Sequence, residues 1–215
     1  EIRLTVERGF ELMTVEDNHL ADRVRTELAQ LNSREFAYKN ILEKTRLRRR
    51  EPINNILNEL IHHGYIIRKK PVLLKNNKDS YLQIFSYIDP GISTYLYRDE
   101  SESSLGFQLE SYVHSRLNYR VVNSVHKSEL GYYKNHKIEK DSLRFTGGEI
   151  DFVMIYGKRI IPIEVKMTDS ISQIDLKNLK LFSDVHHPIF SIVIYGGAPY
   201  IDLKSNVLYW PYWMI

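Results

Sequence analysis

Residues 147–166, GGEIDFVMIYGKRIIPIEVK, decide the fold of the second half of the chain. Two apolar, β-branched runs flank a Gly-Lys pair, which is the pattern of two antiparallel strands joined by a two-residue turn. With Gly157 at the first central position of that turn, the strand register places Asp151 directly opposite Glu164. The sequence therefore predicts a hairpin that carries two facing acids.

The two facing acids need a counter-charge. Like charges directly opposite each other on a sheet are destabilising, and a buried charge is costly unless it is paired. Because side chains alternate between the two faces of a strand, Lys166 shares the face of Glu164. A divalent cation, Mg²⁺ or Mn²⁺, would supply the remaining positive charge, so the hairpin predicts a metal site on Asp151 and Glu164.

A third acid lies in the preceding segment GFQLESYVHSRL, which is helical by pattern. Glu110 falls on the same helical stripe as apolar residues and is expected to face the core with them. The oxygen ligands that we expect for a hard ion are those of Glu110, Asp151, Glu164 and the carbonyl of Val165. Such an ion stabilises the charge that develops in phosphodiester cleavage, and Lys166 adds further positive charge.

The strands GGEIDFVM and PIEVKM resemble the core signature of the PD-(D/E)XK nuclease superfamily. In that signature an acid lies on one strand, an acid-x-Lys triplet lies on the next, and a further Glu lies on the preceding helix. The resemblance makes four residues the catalytic set: Asp151, Glu164, Lys166 and Glu110. It implies a restriction-endonuclease-like α/β fold in the order α-β-β-β-α-β around a mixed central sheet, and we expect its first strand over residues 119–127.

The first half of the chain reads as three helices followed by two strands. Apolar spacing predicts helices over residues 15–31 and 51–63, with a shorter helix between them that Ser33 caps. The β-rich runs YIIRKKPVLL and SYLQIFSYI flank a polar KNNKD loop and predict a hairpin. This order of elements is typical of a winged helix-turn-helix domain.

Basic charge is concentrated in this half, although the formal net charge of the chain is only +3. Residues 46–78 contain nine Lys and Arg residues against two acids. Clustered basic charge is the footprint of a polyanion binder, and a winged helix contacts DNA through its turn, third helix and wing. A solvated surface or a protein–protein module is the alternative. The side chains expected at DNA are Arg46, Arg48, Arg49, Arg50, Asn54, Asn55, Lys75 and Lys78.

Residues 89–104, which contain Pro, Gly and an acidic Ser-rich run, predict the junction between two domains. The winged-helix domain is then expected over residues 1–88 and the nuclease-like domain over residues 105–215. This arrangement resembles the C-terminal half of archaeal and bacterial AAA-type ATPases that end in a nuclease-like domain. These residues lack the Gly-rich loop with which an ATPase binds phosphates. If the resemblance holds, the ATPase portion has been lost, has been removed or never existed here.

Composition narrows the classes of function. The 215 residues contain no cysteine, which excludes disulfides and thiolate metal sites, and no apolar run is long enough to span a bilayer. We therefore expect a cytoplasmic protein without membrane partners. The predicted function is a metal-dependent DNA endonuclease that the winged helix brings to DNA. The alternatives are a catalytically inert DNA-binding or regulatory module of an ATPase, and a Holliday-junction-type resolvase, which would be a homodimer.

Overall fold

The computed structural model describes residues 18–72, 74, 83–97, 101–134 and 148–215. These residues form two compact units. The first unit takes the described residues up to Arg68 and those from 83 to Ser115, and the second takes those from Lys69 to 74 and from Arg116 onward. The predicted domain boundaries at residues 88 and 105 stay a prediction, and Lys75 and Lys78 lie outside the described residues.

The first unit combines helices with a small sheet. Helix α3 shows why its residues are helical, since four apolar side chains at helical spacing are buried on one face: Ile53, Ile56, Leu57 and Leu60. The three strands lie in the order β1-β3-β2. The elements are α1 (Asn18–Gln30), β1 (Glu35–Phe36), α2 (Tyr38–Thr45), α3 (Glu51–His62), β2 (Ile66–Lys69), β3 (Gln83–Tyr87), α4 (Pro90–Leu96) and the start of α5 (Glu102–Val122).

The predicted helix cap at Ser33 is wrong. Ser33 has a φ of +60°, and its N–H donates to the carbonyl of Phe85 at 2.8 Å. The next residues form β1, in which Phe36 pairs with Gln83 and is 1% exposed. Burying an aromatic ring contributes roughly 1.5–3 kcal/mol, more than the few tenths of a kcal/mol by which local helix propensities differ. Helix α2 therefore begins only at Tyr38.

The second unit is built on a mixed sheet of six strands in the order β4-β5-β6-β7-β9-β8. Strands β4, β5 and β6 are antiparallel neighbours, β6-β7 and β7-β9 are parallel, and β8 is antiparallel to β9. The predicted mixed α/β class with a mixed central sheet is confirmed. The elements are β4 (Ser128–Lys134), β5 (Glu149–Tyr156), β6 (Arg159–Val165), α6 (Lys177–His186), β7 (Ser191–Tyr195), β8 (Tyr200–Asp202) and β9 (Val207–Pro211).

The strand predicted over residues 119–127 is wrong, because α5 continues to Val122 and the strand starts at Ser128. Tyr119 and Val122 are 65% and 72% exposed, so their side chains gain little from the sheet. The buried pair Tyr132 and Tyr133 lies on β4 instead. Strand propensity mostly reports packing on a half-buried surface, and residues that are not packed do not realise it.

A short segment, residues 70–72, pairs with the outer edge of β4. The N–H of Val72 donates to the carbonyl of Tyr132, and the N–H of Tyr132 donates to the carbonyl of Lys70, both at 2.9 Å. Val72 is fully buried in the core of this unit, with side chains of α6 such as Leu179 and Phe182. Gly131 makes the approach possible, since a Cβ atom there would lie 2.2 Å from the carbonyl oxygen of Lys70.

Within the described ranges, no helix has both the length and the apolar character needed to cross a bilayer.

Candidate active site

The hairpin of β5 and β6 brings Asp151 and Glu164 to adjacent positions. The ladder runs from Tyr156–Arg159 to Phe152–Ile163, which confirms the register predicted from the turn, and Gly157 has the positive φ of +60° that this turn requires. Asp151 directly precedes Phe152 and Glu164 directly follows Ile163, so both acids lie just beyond the last ladder pair, on the side away from the turn. Turn chemistry and strand alternation thus place the two acids.

The carboxylate of Asp151 replaces a main-chain partner at the end of this ladder. Its Oδ2 atom accepts a hydrogen bond from the N–H of Val165 at 2.7 Å. This bond ties the side chain of one strand to the backbone of the next. Asp151 is half-buried, so its carboxylate is held in place and remains within reach of a ligand.

Glu164 is the most deeply buried acid of the site, with 2% of the residue exposed. Its Oε2 atom accepts a hydrogen bond from the Lys166 ammonium at 3.1 Å. Its Oε1 atom is buried and has no hydrogen-bond partner among the described residues. Burial, and secondly the charge of Asp151, raise the pKa of Glu164 well above its ordinary value, although Lys166 acts in the opposite direction.

Lys166 provides positive charge beside the two acids. Burial by itself would lower the pKa of Lys166, but the charges of Glu164 and Asp151 outweigh it, and the pKa is raised from its ordinary value. The side chain is 31% exposed, which leaves the ammonium open on one side. Lys166 therefore stays charged at neutral pH and can meet an anion.

The site lies where β6 ends beside β7. The N–H of Lys166 donates to the carbonyl of Ile194 at 2.9 Å, which extends the parallel pairing of the two strands by one residue. The loops that follow the strands approach closely, since a Cβ atom at Gly196 would lie 2.2 Å from Oδ1 of Asp169. Crevices at the carboxyl ends of parallel strands are common ligand sites in α/β sheets.

Glu110 is the predicted site residue that belongs to the first unit. It lies on α5 in the first unit and is half-buried, whereas Asp151, Glu164 and Lys166 lie together in the second unit. Among the residues that the structure describes, no group of three or more His, Asp or Glu side chains is arranged to hold a metal ion. The roles of Glu110 and of the Val165 carbonyl as ligands stay predictions.

The donor set of the second unit nevertheless fits a hard divalent cation. Carboxylate oxygens are the ligands that Mg²⁺ takes in proteins, usually one or two of them, with the remaining positions filled by water and substrate phosphates. Asp151 and Glu164 supply two carboxylates. The buried Oε1 atom of Glu164 lacks a hydrogen-bond donor in the described structure, and a cation would satisfy it.

Sequence reasoning missed Lys69, which it counted as one member of the basic run. Lys69 is only 4% exposed, and its ammonium lies 3.4 Å from the carbonyl oxygen of Asp151. The same ammonium lies 4.6 Å from the centre of the Phe152 ring. No local pattern separates Lys69 from its exposed neighbour Lys70, because the partners that bury it come from a strand 82 residues away in the chain.

Six of the eight side chains predicted to bind DNA are among the described residues, and they lie on the surface of the first unit. The four arginines of the α2–α3 turn are exposed, as are Asn54 and Asn55 on α3. The Arg50 guanidinium lies 5.2 Å from the centre of the Tyr38 ring, and the Tyr38 hydroxyl donates to Asn54 at 2.5 Å. These contacts link the basic turn to the amide-bearing face of α3.

Comparisons with known proteins give a family for the second half of the chain and a weak structural similarity over most of it. Residues 105–215 match the model of a family described as "Domain of unknown function (DUF4143)". No match was found among curated proteins. Among solved structures, the chain is similar to the crystal structure of protein VC1899 from Vibrio cholerae, with 15% identity and a TM-score of 0.35. That alignment covers 89% of this chain and 42% of the other, so the chain spans less than half of that protein.

Proposed function

Because the chain belongs to the DUF4143 family, whose description names no activity, we propose its function from the site: metal-dependent hydrolysis of DNA phosphodiester bonds at Asp151, Glu164 and Lys166. The observation that carries the proposal is the carboxylate of Glu164, which is 2% exposed and has one oxygen without a hydrogen-bond partner among the described residues. Burying an acid in this state is costly. A bound cation would remove that cost.

The proposed roles follow from the position of each side chain. Asp151 and Glu164 would hold the cation, and the bond from the Val165 N–H keeps Asp151 turned toward Glu164. A bound Mg²⁺ or Mn²⁺ would act as a Lewis acid that stabilises the charge developing on the phosphate, and it would lower the pKa of a water molecule bound to it. Lys166 would place its partly exposed ammonium where negative charge increases on the phosphate.

The element order supports the same proposal. From α5 onward, the order α5-β4-β5-β6-α6-β7 is the one expected for a restriction-endonuclease-like domain. In the first unit, three helices, a short strand after the first of them, and two later strands follow the order of a winged helix. The exposed arginines of its α2–α3 turn would contact DNA phosphates.

The test is cleavage of linear, single-stranded and four-way-junction DNA by the full chain with Mg²⁺ or Mn²⁺. We expect cleavage that EDTA abolishes, and a loss of about 100-fold or more in Asp151→Asn and Glu164→Gln. Glu149→Gln is the matched control, because Glu149 lies at the start of the same strand β5 but pairs with Lys134 at 3.4 Å. Metal-independent cleavage, or full activity in both site variants, would refute the proposal.

A second candidate is a DNA-binding or regulatory module without catalysis. The observation that favours it is the ion pair between Lys166 and Glu164, which compensates one of the two acids without a cation. Salt-sensitive DNA binding without cleavage of any of the three substrates, and no binding of Mn²⁺, would identify this module. Preference for the four-way junction would instead identify a resolvase.

A further inference from the structure

A small polar pocket lies in the first unit, between the end of α1, helix α4 and the start of α5. It encloses about 230 Å³, counting its open mouth. Two of the residues that line it, Asn32 and Ser93, are only 4% and 2% exposed. Their side chains are hydrogen-bonded to each other at 3.2 Å. The pocket therefore reaches from the surface to a buried, polar floor.

Helix α5 forms one wall of this pocket with a polar stripe. Ser104, Phe107 and Gln108 line the pocket, and with Ser111 they follow the spacing of residues on one face of a helix. The Ser111 hydroxyl lies 3.1 Å from the side-chain oxygen of Asn32, which fixes this face toward the turn after α1. The wall therefore supplies a hydroxyl and an amide, which are neutral hydrogen-bond donors.

Arg34 brings positive charge to the pocket. Its Nη2 atom donates to the carbonyl of Gln30, and its guanidinium carbon lies 4.6 Å from the centre of the Phe107 ring. Its Nε atom is buried and has no hydrogen-bond partner among the described residues. None of the described residues that line the pocket is acidic. A buried donor without a partner is costly, so an anion that accepts from Arg34 would bind favourably here.

We propose that this pocket binds a terminal phosphate group, as on the 5′ end of a DNA strand or on a nucleotide, with Arg34 as its charged contact. The planar donors of a guanidinium match two phosphate oxygens at once. Ser104 and Gln108 supply donors for the remaining oxygen atoms. This site is separate from the carboxylates of the proposed cleavage reaction and requires no metal ion.

The shape of the pocket favours a terminal phosphate over an internal one. A terminal phosphate ends its chain and can enter a pocket that has a buried floor, whereas an internal phosphodiester must continue on both sides. The exposed arginines of the α2–α3 turn belong to the same unit, and clustered basic charge is typical of proteins that bind nucleic acid. A phosphate carried by a DNA strand or a nucleotide is therefore the ligand that we expect.

The experiment compares two short single-stranded DNA oligonucleotides that differ only in a 5′-phosphate or a 5′-hydroxyl group, by fluorescence anisotropy with the full chain in EDTA. The wild type should bind the phosphorylated strand about tenfold more tightly, as is typical of hydrogen bonds to a charged group. Arg34→Gln should remove this preference. Arg23→Gln should keep it and is the matched control, because the exposed Arg23 also donates to a main-chain carbonyl, that of Lys44, at 3.0 Å.

The pH dependence and competition separate binding from a structural role of Arg34. The second pKa of a phosphate monoester is about 6, so the preference should grow between pH 5 and pH 8 as the phosphate gains charge. Inorganic phosphate and a 5′-mononucleotide should both compete with the phosphorylated strand. Equal competition by the two would assign recognition to the phosphate alone, and stronger competition by the nucleotide would add contacts to the nucleoside.

A second variant covers the case in which Arg34→Gln does not fold. Ser104→Leu fills the pocket from α5 and should also remove the preference, while Thr94→Leu, at an exposed position of α4, should keep it. Equal binding of the two oligonucleotides by the wild type overturns the inference, as does a preference that persists in folded Arg34→Gln or in Ser104→Leu. Because EDTA removes divalent cations, these results are independent of the metal site, so this inference and the proposed function can fail separately.

Discussion

The carboxylate of Glu164 is the residue on which the chemistry of the second unit depends. A buried acid with a raised pKa binds its proton more tightly in the folded chain than in the unfolded chain. Its contribution to stability is therefore complete below the unfolded pKa of 4.5 and is lost as the pH rises through the folded pKa. Such a cost at neutral pH is typical of residues that are kept for function.

Replacing this acid tests the cost directly. In metal-free buffer, the free energy of unfolding of the wild type should fall as the pH rises above 4.5. Glu164→Gln should flatten this dependence and raise the stability at neutral pH, because the amide carries no charge that burial penalises. Urea denaturation between pH 4 and pH 8 measures both effects. A steeper pH dependence in Glu164→Gln would contradict the burial argument.

The individual residues of the site also show which of its features can be predicted from sequence. Asp151, Glu164 and Lys166 were found because each follows from local rules: Gly157 fixes the turn, and alternation fixes which side chains share a face. Lys69 could not be found this way, since its burial depends on Phe152, a residue far away in the chain. Tertiary partners of this kind leave no periodic signal.

At the scale of elements, the β5–β6 hairpin was predicted correctly, whereas β1 was missed and β4 was placed too early in the chain. The β5–β6 pair is fixed by a two-residue turn, whereas β1 is two residues long and exists because Phe36 fills the core beside β3. Strand β4 likewise depends on a distant neighbour, the segment that pairs with Tyr132. Elements whose stability comes from long-range pairing are those that local patterns miss.

Because this segment lies so close to β4, we expect glycine-to-alanine substitutions on β4 and on α5 to change the stability in opposite directions. Gly131→Ala should destabilise the chain by roughly 1–3 kcal/mol, because its Cβ atom would lie 2.2 Å from the main-chain oxygen of Lys70. Gly106→Ala is the control on α5, where nothing lies within 4 Å, and it should stabilise by roughly 0.5–1 kcal/mol. Thermal unfolding monitored by circular dichroism compares the two. Equal shifts in Tm would show that the close approach does not matter.

At the scale of the whole molecule, a unit with an exposed basic turn is joined to a unit with an acidic site. The first would supply affinity for phosphates and the second the chemistry, so the two activities should be separable by mutation. Electrostatic binding to DNA weakens with salt in proportion to the number of phosphate contacts. The salt dependence is therefore the measurement that reports on the basic turn.

The double variant Arg48→Ala and Arg49→Ala should reduce the slope of log K against log salt concentration by about 1 to 2. It should leave the Mn²⁺ affinity unchanged, because neither arginine is one of the proposed ligands. Fluorescence anisotropy with a labelled duplex measures the slope. The double variant Lys158→Ala and Lys204→Ala, at two exposed turns of the second unit, is the charge-matched control, and an equal loss of slope in both double variants would point to nonspecific attraction.

The segment that pairs with Tyr132 also determines where a protein fragment containing the family domain should begin. The matched region begins at residue 105, yet the second unit includes Lys70 and Val72, which cover the outer edge of β4 and fill part of its core. A fragment that starts at the family boundary would expose an unpaired strand edge and leave a hole where Val72 packs. Unpaired strand edges form β-sheet hydrogen bonds with other chains. Such a fragment would therefore aggregate for a reason unrelated to its active site.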